Sequence, residues 1–204
     1  MKALKLAICA AAASLALGGT AYAQDVSFNV GVASDYVWRG VSQTDEGPQL
    51  FGGVDFSSGI FYAGIKPTAG PVTFDLAALY YGYVNEPSGA DYAFWELKAA
   101  ASVPAGPATL GAAVNYSPEF FGGIGSAVYY EVNASVSPAE KWTIGGAIGS
   151  QTFDAGGDYS TWNVGVGYAF NDTLSADLRY HDNDLGCGTI CDSRVTLSLK
   201  AVLP

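Results

Sequence analysis

Leu174-Ser175-Ala176-Asp177-Leu178-Arg179-Tyr180-His181 alternates without a break between an apolar side chain and a polar or ionisable one. A period of two sends successive side chains to opposite faces of a strand. One face here is therefore greasy, and the other carries Asp177, Arg179 and His181. The pattern returns downstream, where Val195, Leu197, Leu199 and Ala201 stand against Arg194, Thr196, Ser198 and Lys200. Upstream, Trp95, Leu97, Ala99, Ala101 and Val103 oppose Phe94, Glu96 and Lys98, and Val128, Tyr130, Val132 and Ala134 oppose Tyr129, Glu131 and Asn133.

Further strands are predicted at similar spacing over Val26 to Ser34, Gln49 to Ser57, Ile60 to Lys66, Val72 to Val84, Thr109 to Tyr116, Trp142 to Ser150 and Tyr159 to Phe170. No stretch after the N-terminal segment keeps an apolar period of 3.6, so helix is not a major component. The fold expected is all-β, with eleven strands by this reading. Short turns fall at Ser57-Ser58-Gly59, Pro104 to Pro107, Ser137 to Glu140 and Asn171-Asp172-Thr173. Longer, acidic loops fall at Asp35 to Pro48, Asn85 to Asp91, Pro118 to Gly125, Thr152 to Asp158 and Asp182 to Ser193. Short turns at one end and long loops at the other suit an outer-membrane barrel. Around Pro67 to Pro71 short and long connections fail to alternate, because two tight turns follow one another, and bacterial barrels favour even numbers, so 10 to 12 strands are expected.

Alternation alone does not name the solvent, because a soluble sandwich alternates too. Three features point to a single antiparallel transmembrane β-barrel. Glycine sits inside strands, as at Gly145, Gly146, Gly149, Gly165 and Gly167, and is expected to serve tight curvature. Aromatic residues gather at strand ends (Tyr36 and Trp38, Tyr80 to Tyr83, Tyr92 to Trp95, Tyr116, Trp142, Tyr168 and Phe170), the pattern of interfacial girdles. Closure removes the strand edges that a hydrocarbon environment does not tolerate.

The N-terminus sets the compartment. Lys2 and Lys5, the apolar run Leu6 to Leu17 and Ala21-Tyr22-Ala23 before Gln24 follow the plan of a cleaved secretory signal. That apolar run falls well short of the ~20 residues a membrane-crossing helix needs. The expected division is a signal peptide over 1–23 and a barrel over 24–204, located in the outer membrane. The chain has 19 acidic against 9 basic residues, and losing Lys2 and Lys5 makes it more acidic still. Such a balance excludes nucleic acid as a partner, since that affinity rests on Lys and Arg meeting phosphates.

In an oxidising compartment, Cys187 and Cys191 read most plainly as a disulfide closing a small loop. A metal site with His181 and Asp182 is the alternative, although the spacing expected of zinc ligands is otherwise missing. Asp154, Asp158, Asp182 and Asp184 lack the spacing of a calcium loop and read as a solvated acidic surface. His181 is the sole histidine, so a Ser-His-acid triad would need it beside Asp177, Asp182 or Asp184, and no nucleophile elbow is present. Neither an enzyme activity nor a cofactor is expected.

The segment Ser34-Asp35-Tyr36-Val37-Trp38-Arg39-Gly40-Val41-Ser42-Gln43 resembles the signature of the proteobacterial TorF family of porin-type proteins, also known as the Gcw_chp family of exported proteins. The likeness continues through Gly52-Gly53-Val54-Asp55, Phe61-Tyr62-Ala63-Gly64, Tyr80 to Tyr83 and Arg179-Tyr180-His181-Asp182. It implies an outer-membrane barrel of porin type. Two departures stand out: Ile60 to Phe74 looks shortened, and Ala201-Val202-Leu203-Pro204 lacks the terminal aromatic common in such barrels.

On this reading the polar strand faces line a water-filled lumen. The candidate lumen or constriction residues are Asp35, Arg39, Asp75, Glu96, Lys98, Glu131, Asp177, Arg179, Arg194 and Lys200. Arg39 is expected either to reach a carboxylate in the upper lumen and fix the first outer loop as a constriction, or simply to order that loop. The partners expected are outer-membrane lipid and small hydrophilic solutes or ions. The alternatives are a closed structural or ligand-binding barrel, and a soluble periplasmic barrel.

Overall fold

The computed structural model describes residues 27–55, 62–82 and 92–203. Its strands, in chain order, are β1 (Ser27–Ala33), β2 (Val37–Trp38), β3 (Val41–Ser42), β4 (Gln49–Asp55), β5 (Tyr62–Ile65), β6 (Thr68–Ala69) and β7 (Val72–Tyr81). These are followed by β8 (Phe94–Ala105), β9 (Ala108–Ser117), β10 (Ala127–Ala139), β11 (Trp142–Phe153), β12 (Tyr159–Ala169), β13 (Leu174–Asn183) and β14 (Arg194–Leu203). The one helical turn described is a 3-10 turn at Thr189–Cys191.

All but β2 and β3 belong to one antiparallel sheet, ordered β4-β1-β14-β13-β12-β11-β10-β9-β8-β7-β5, with β6 also paired to β7. From β7 onwards each strand pairs with its sequence neighbour, and β1 pairs with β14, joining the first strand to the last. Because every step is antiparallel, β4 and β5 at the two ends of this order run in the same direction. Residues 56–61, which join them and carry the expected Ser57-Ser58-Gly59 turn, lie outside the described residues, as do residues 1–23.

The eleven expected strands all have counterparts, although β10 and β11 run several residues beyond the predicted ends. The collision around Pro67 has a simple cause. Both β5 and β6 pair with β7, so they act as one strand interrupted at Lys66-Pro67, where proline offers no N–H to the ladder. The Pro67 carbonyl still accepts from Phe74 N at 2.9 Å. Between β6 and β7 the described residues hold a single turn, at Gly70-Pro71.

The two faces are inverted relative to an aqueous protein. On β8, Trp95 and Leu97 are 55% and 58% exposed while Glu96 between them is 1% exposed. Leu178 and Leu197, opposite one another across β13 and β14, are both about half exposed, and Thr196 beside Leu197 is buried. In water such a band of Leu, Val, Ile and Trp would forfeit its transfer free energy, roughly 25 cal/mol per Å². The polar face is instead the covered one.

It is covered because the sheet curls around the β2-β3 hairpin. Trp38, Arg39 and Gly40 touch Tyr81, Glu96, Tyr129, Gln151, Thr161 and Asn183, on strands from β7 to β13. A flat sheet would spread those strands over about 29 Å, and three residues span roughly 11 Å at most. The sheet must therefore wrap the hairpin.

One expectation is corrected here. Trp38, Tyr81 and Phe94 belong to no outward girdle: they pack with Phe120, Ala127 and Phe153 in a buried cluster on the inner face. Of the expected girdle, Tyr80, Trp95, Tyr116, Trp142 and Phe170 are exposed, and Tyr130 and Trp162 join them. At three strand glycines the space on the inner face is taken by a neighbouring side chain. A Cβ on Gly165 would lie 2.8 Å from Arg179 Cζ, and one on Gly111 or Gly149 would strike Asn133 or Tyr129. Each glycine seats a large polar side chain from the next strand.

Candidate functional site

The hairpin is built by a two-residue loop, Arg39-Gly40, between Trp38 and Val41, which face each other in register. Both loop residues have positive φ, 49° for Arg39 and 83° for Gly40, the requirement of the hairpin turn that matches strand twist. Glycine takes this at no steric cost, and a side chain there would in any case strike Thr161. For arginine the left-handed region costs roughly 1–2 kcal/mol, so the contacts of its side chain must hold it there.

Those contacts are dense. Arg39 Nη2 donates to Glu96 Oε1 at 2.7 Å and Nη1 donates to Gln151 Oε1 at 2.8 Å. The guanidinium carbon lies 4.2 Å from the Trp38 ring centre and 4.3 Å from that of Tyr129. Gln151 presents its oxygen because its amide nitrogen donates to the Val128 and Thr152 carbonyls. The Arg39 and Glu96 side chains are only 7% and 2% exposed. At that burial, a pair that is made holds the hairpin and a pair that is broken leaves a stranded charge.

Asp35 stands four residues before Arg39 but pairs elsewhere. Its Oδ2 accepts from Arg194 Nη1 at 2.8 Å, and its Oδ1 accepts from Ser42 Oγ and Thr44 Oγ1, each at 2.7 Å. Burial alone would raise this carboxyl, but the hydrogen bonds from Thr44, Arg194 and Ser42 and the charge of Arg194 together hold it below its ordinary 3.8. Arg194 also donates through Nη2 to the Thr189 carbonyl at 2.6 Å. It thereby ties the hairpin stem to the loop closed by the Cys187–Cys191 disulfide. Asn183 Nδ2 donates to both the Gly40 and Cys191 carbonyls, at 2.7 and 2.9 Å.

Farther from the hairpin, the remaining expected residues share the inner face. Lys98 Nζ reaches Asp75 Oδ2 at 2.8 Å. Arg179 donates to both Asp177 oxygens, at 3.0 Å each, and to Asn163 Oδ1 at 2.7 Å. Glu131 accepts from Tyr129 Oη at 3.1 Å and Asn133 Nδ2 at 3.0 Å. Lys200 lies opposite Gly31, on the same side of β14 as Arg194 and Thr196. The set thus divides into a hairpin layer (Asp35, Arg39, Glu96, Arg194) and a deeper layer (Asp75, Lys98, Glu131, Asp177, Arg179, Lys200). Tyr129, Gln151 and Asn183 complete the hairpin layer and were not singled out as candidates, though Gln151 continues the inner-face phase of Gly145, Ala147 and Gly149. His181 Nε2 lies 3.2 Å from Thr196 Oγ1, and among the described residues no cluster fit to hold a metal ion occurs.

Comparison with known proteins follows the same line. The sequence profile of a family described as "Bacterial protein of unknown function (Gcw_chp)" matches residues 18–68 and 60–200. Among solved structures, the KdgM porin superposes with a TM-score of 0.54 at 8% identity, covering 87% of this chain and 98% of that one. At such low identity it shows the fold alone, that of an outer-membrane β-barrel porin. A loop L8 deletion mutant of OmpT, an outer-membrane protein of Vibrio cholerae, aligns at 15% identity with a TM-score of 0.48, over 70% of this chain and 52% of its own. A further refined porin structure aligns at 15% identity and 0.47, over 89% of this chain and 60% of its own. This chain thus spans between half and three fifths of the length of those two proteins. No curated protein sequence matches this chain.

Proposed function

The chain belongs to the Gcw_chp family of bacterial proteins, and from that premise we propose that it is an outer-membrane β-barrel passing small hydrophilic solutes or ions. Residues 1–23 serve as a cleaved export signal and 24–204 as the barrel. The observation that carries this reading is the inversion of faces, with Trp95 and Leu97 exposed around a buried Glu96. Lipid supplies the apolar band with a solvent, and water supplies the inner face with one. The TorF resemblance of residues 34–43 points the same way. The first outer loop acts as the constriction, held by Arg39 on Glu96 and by Asp35 on Arg194. Cations and anions are equal in number among the ten candidate residues, so only weak charge selectivity is expected.

Purified protein in planar bilayers tests the proposal. Discrete conductance steps support it, and silence at every voltage removes the channel. A second reading, a closed barrel that binds through its outer loops, draws on the buried cluster of Phe94, Phe120 and Ala127 packed against the hairpin. Under that reading bilayers remain silent while the protein still sediments with outer membranes. A soluble periplasmic barrel would instead leave with the periplasm.

A further inference from the structure

Besides the adjacent Trp38 ring, three groups receive the Arg39 side chain. Glu96 offers a carboxylate, Gln151 an amide oxygen and Tyr129 a ring face, and each belongs to the barrel wall. Such a set recognises an organic cation. One acceptor is left over: Glu96 Oε2 is buried and has no hydrogen-bond partner among the described residues. Arg39 therefore engages a single oxygen of a carboxylate that can take a guanidinium by both. The arginine is also held at a φ of 49°, a conformation that a free ligand would not have to adopt.

We propose that Glu96, Gln151 and Tyr129 form a binding site for solutes bearing a guanidinium or alkylammonium group, and that Arg39 is the site's built-in occupant. The inference rests on the channel reading for its consequence, since a solute that displaces Arg39 frees the hairpin from the lumen. It does not rest on it for binding. A tethered group competes at an effective concentration on the order of millimolar, so displacement needs solute at or above that level.

The test empties the site and refills it. Arg39→Ala is expected to conduct better than the parent protein in planar bilayers. About 10 mM methylguanidinium, chosen to exceed the millimolar scale, is expected to block it where equal potassium chloride does not. Adding Glu96→Gln to that variant should weaken the block by about tenfold or more, a loss of about 1.4 kcal/mol. Binding is read separately, as a rise in Tm of detergent-solubilised Arg39→Ala with methylguanidinium, so a barrel that never conducts refutes the channel without deciding the site. If Arg39→Ala does not fold, the parent protein is used: methylguanidinium should speed hydrogen exchange at residues 37–42 and potassium should not. The proposal is overturned if methylguanidinium acts no differently from potassium, or if its effect survives Glu96→Gln unchanged.

Discussion

Arg39, at the tip of the β2-β3 hairpin, and Glu96, on β8, are 57 positions apart in sequence and 2.7 Å apart in space. That one contact fastens a loop to the wall facing it across the interior. It turns an acidic loop into a part of the covered inner face.

Removing both partners of the pair should cost less than the two separate removals added together. Truncating either partner of a buried pair costs roughly 3–5 kcal/mol, because the other charge stays behind. Arg39→Ala and Glu96→Ala are each expected to destabilise the barrel in urea, and the double variant by clearly less than their sum. A double-mutant cycle with additive losses would mean that the two side chains are not coupled.

Acid should release the hairpin stem. The Asp35 carboxyl is held below 3.8, so it binds its proton less readily folded than unfolded. Its contribution is fully present above the unfolded value and is lost as pH falls through the lower folded one. Hydrogen exchange at residues 35–47 should be insensitive to this group from pH 7 to 5 and should rise below about 3.8. Asp35→Asn should show faster exchange already at neutral pH and no acid step.

Removing the disulfide should loosen the same stem from the other side. Cys191 shares Asn183 with Gly40, and Thr189 receives Arg194. Replacing Cys187 and Cys191 together by Ser forfeits at most about 2 kcal/mol in the chain-entropy account. Exchange should quicken over residues 187–194 and at Gly40, while β10 and β11 remain protected.

Charge on the outer face should be costly and charge on the inner face should not. Leu178 sits near the middle of β13 and is half exposed. Leu178→Arg should cost about 2–4 kcal/mol in lipid vesicles. Ser198→Lys, on the half-buried polar side of β14, should stay within about 1 kcal/mol of the parent. Equal costs at the two positions would contradict the assignment of faces.

Much of this was legible in the sequence because strand alternation is local. Leu174 to His181 and Arg194 to Ala201 announce their two faces unaided, and the structure keeps those faces. The interruption at Pro67 could be read only as a conflict, since the pairing of β5 and β6 with one strand is a long-range fact. The hairpin left a weaker mark. Arg39-Gly40 between Val37-Trp38 and Val41-Ser42 is not one of the residue pairs that mark a two-residue hairpin, and it lies within an acidic stretch that reads as loop. Nothing local tells Arg39 that its acceptors are Glu96 and Gln151, because that choice depends on the curl of eight strands. The seats at Gly165, Gly111 and Gly149 were hidden for the same reason, as each is defined by a side chain on a neighbouring strand.

The orientation of the sheet is tested most directly by the tryptophans. Trp95 is 55% exposed on the outer face, whereas Trp38 stacks inside against Phe120. In vesicles of lipid with brominated acyl chains, a variant whose sole tryptophan is Trp95 should lose most of its fluorescence, and one retaining only Trp38 should lose little. Strong quenching of Trp38 with Trp95 untouched would mean that the faces are the other way round.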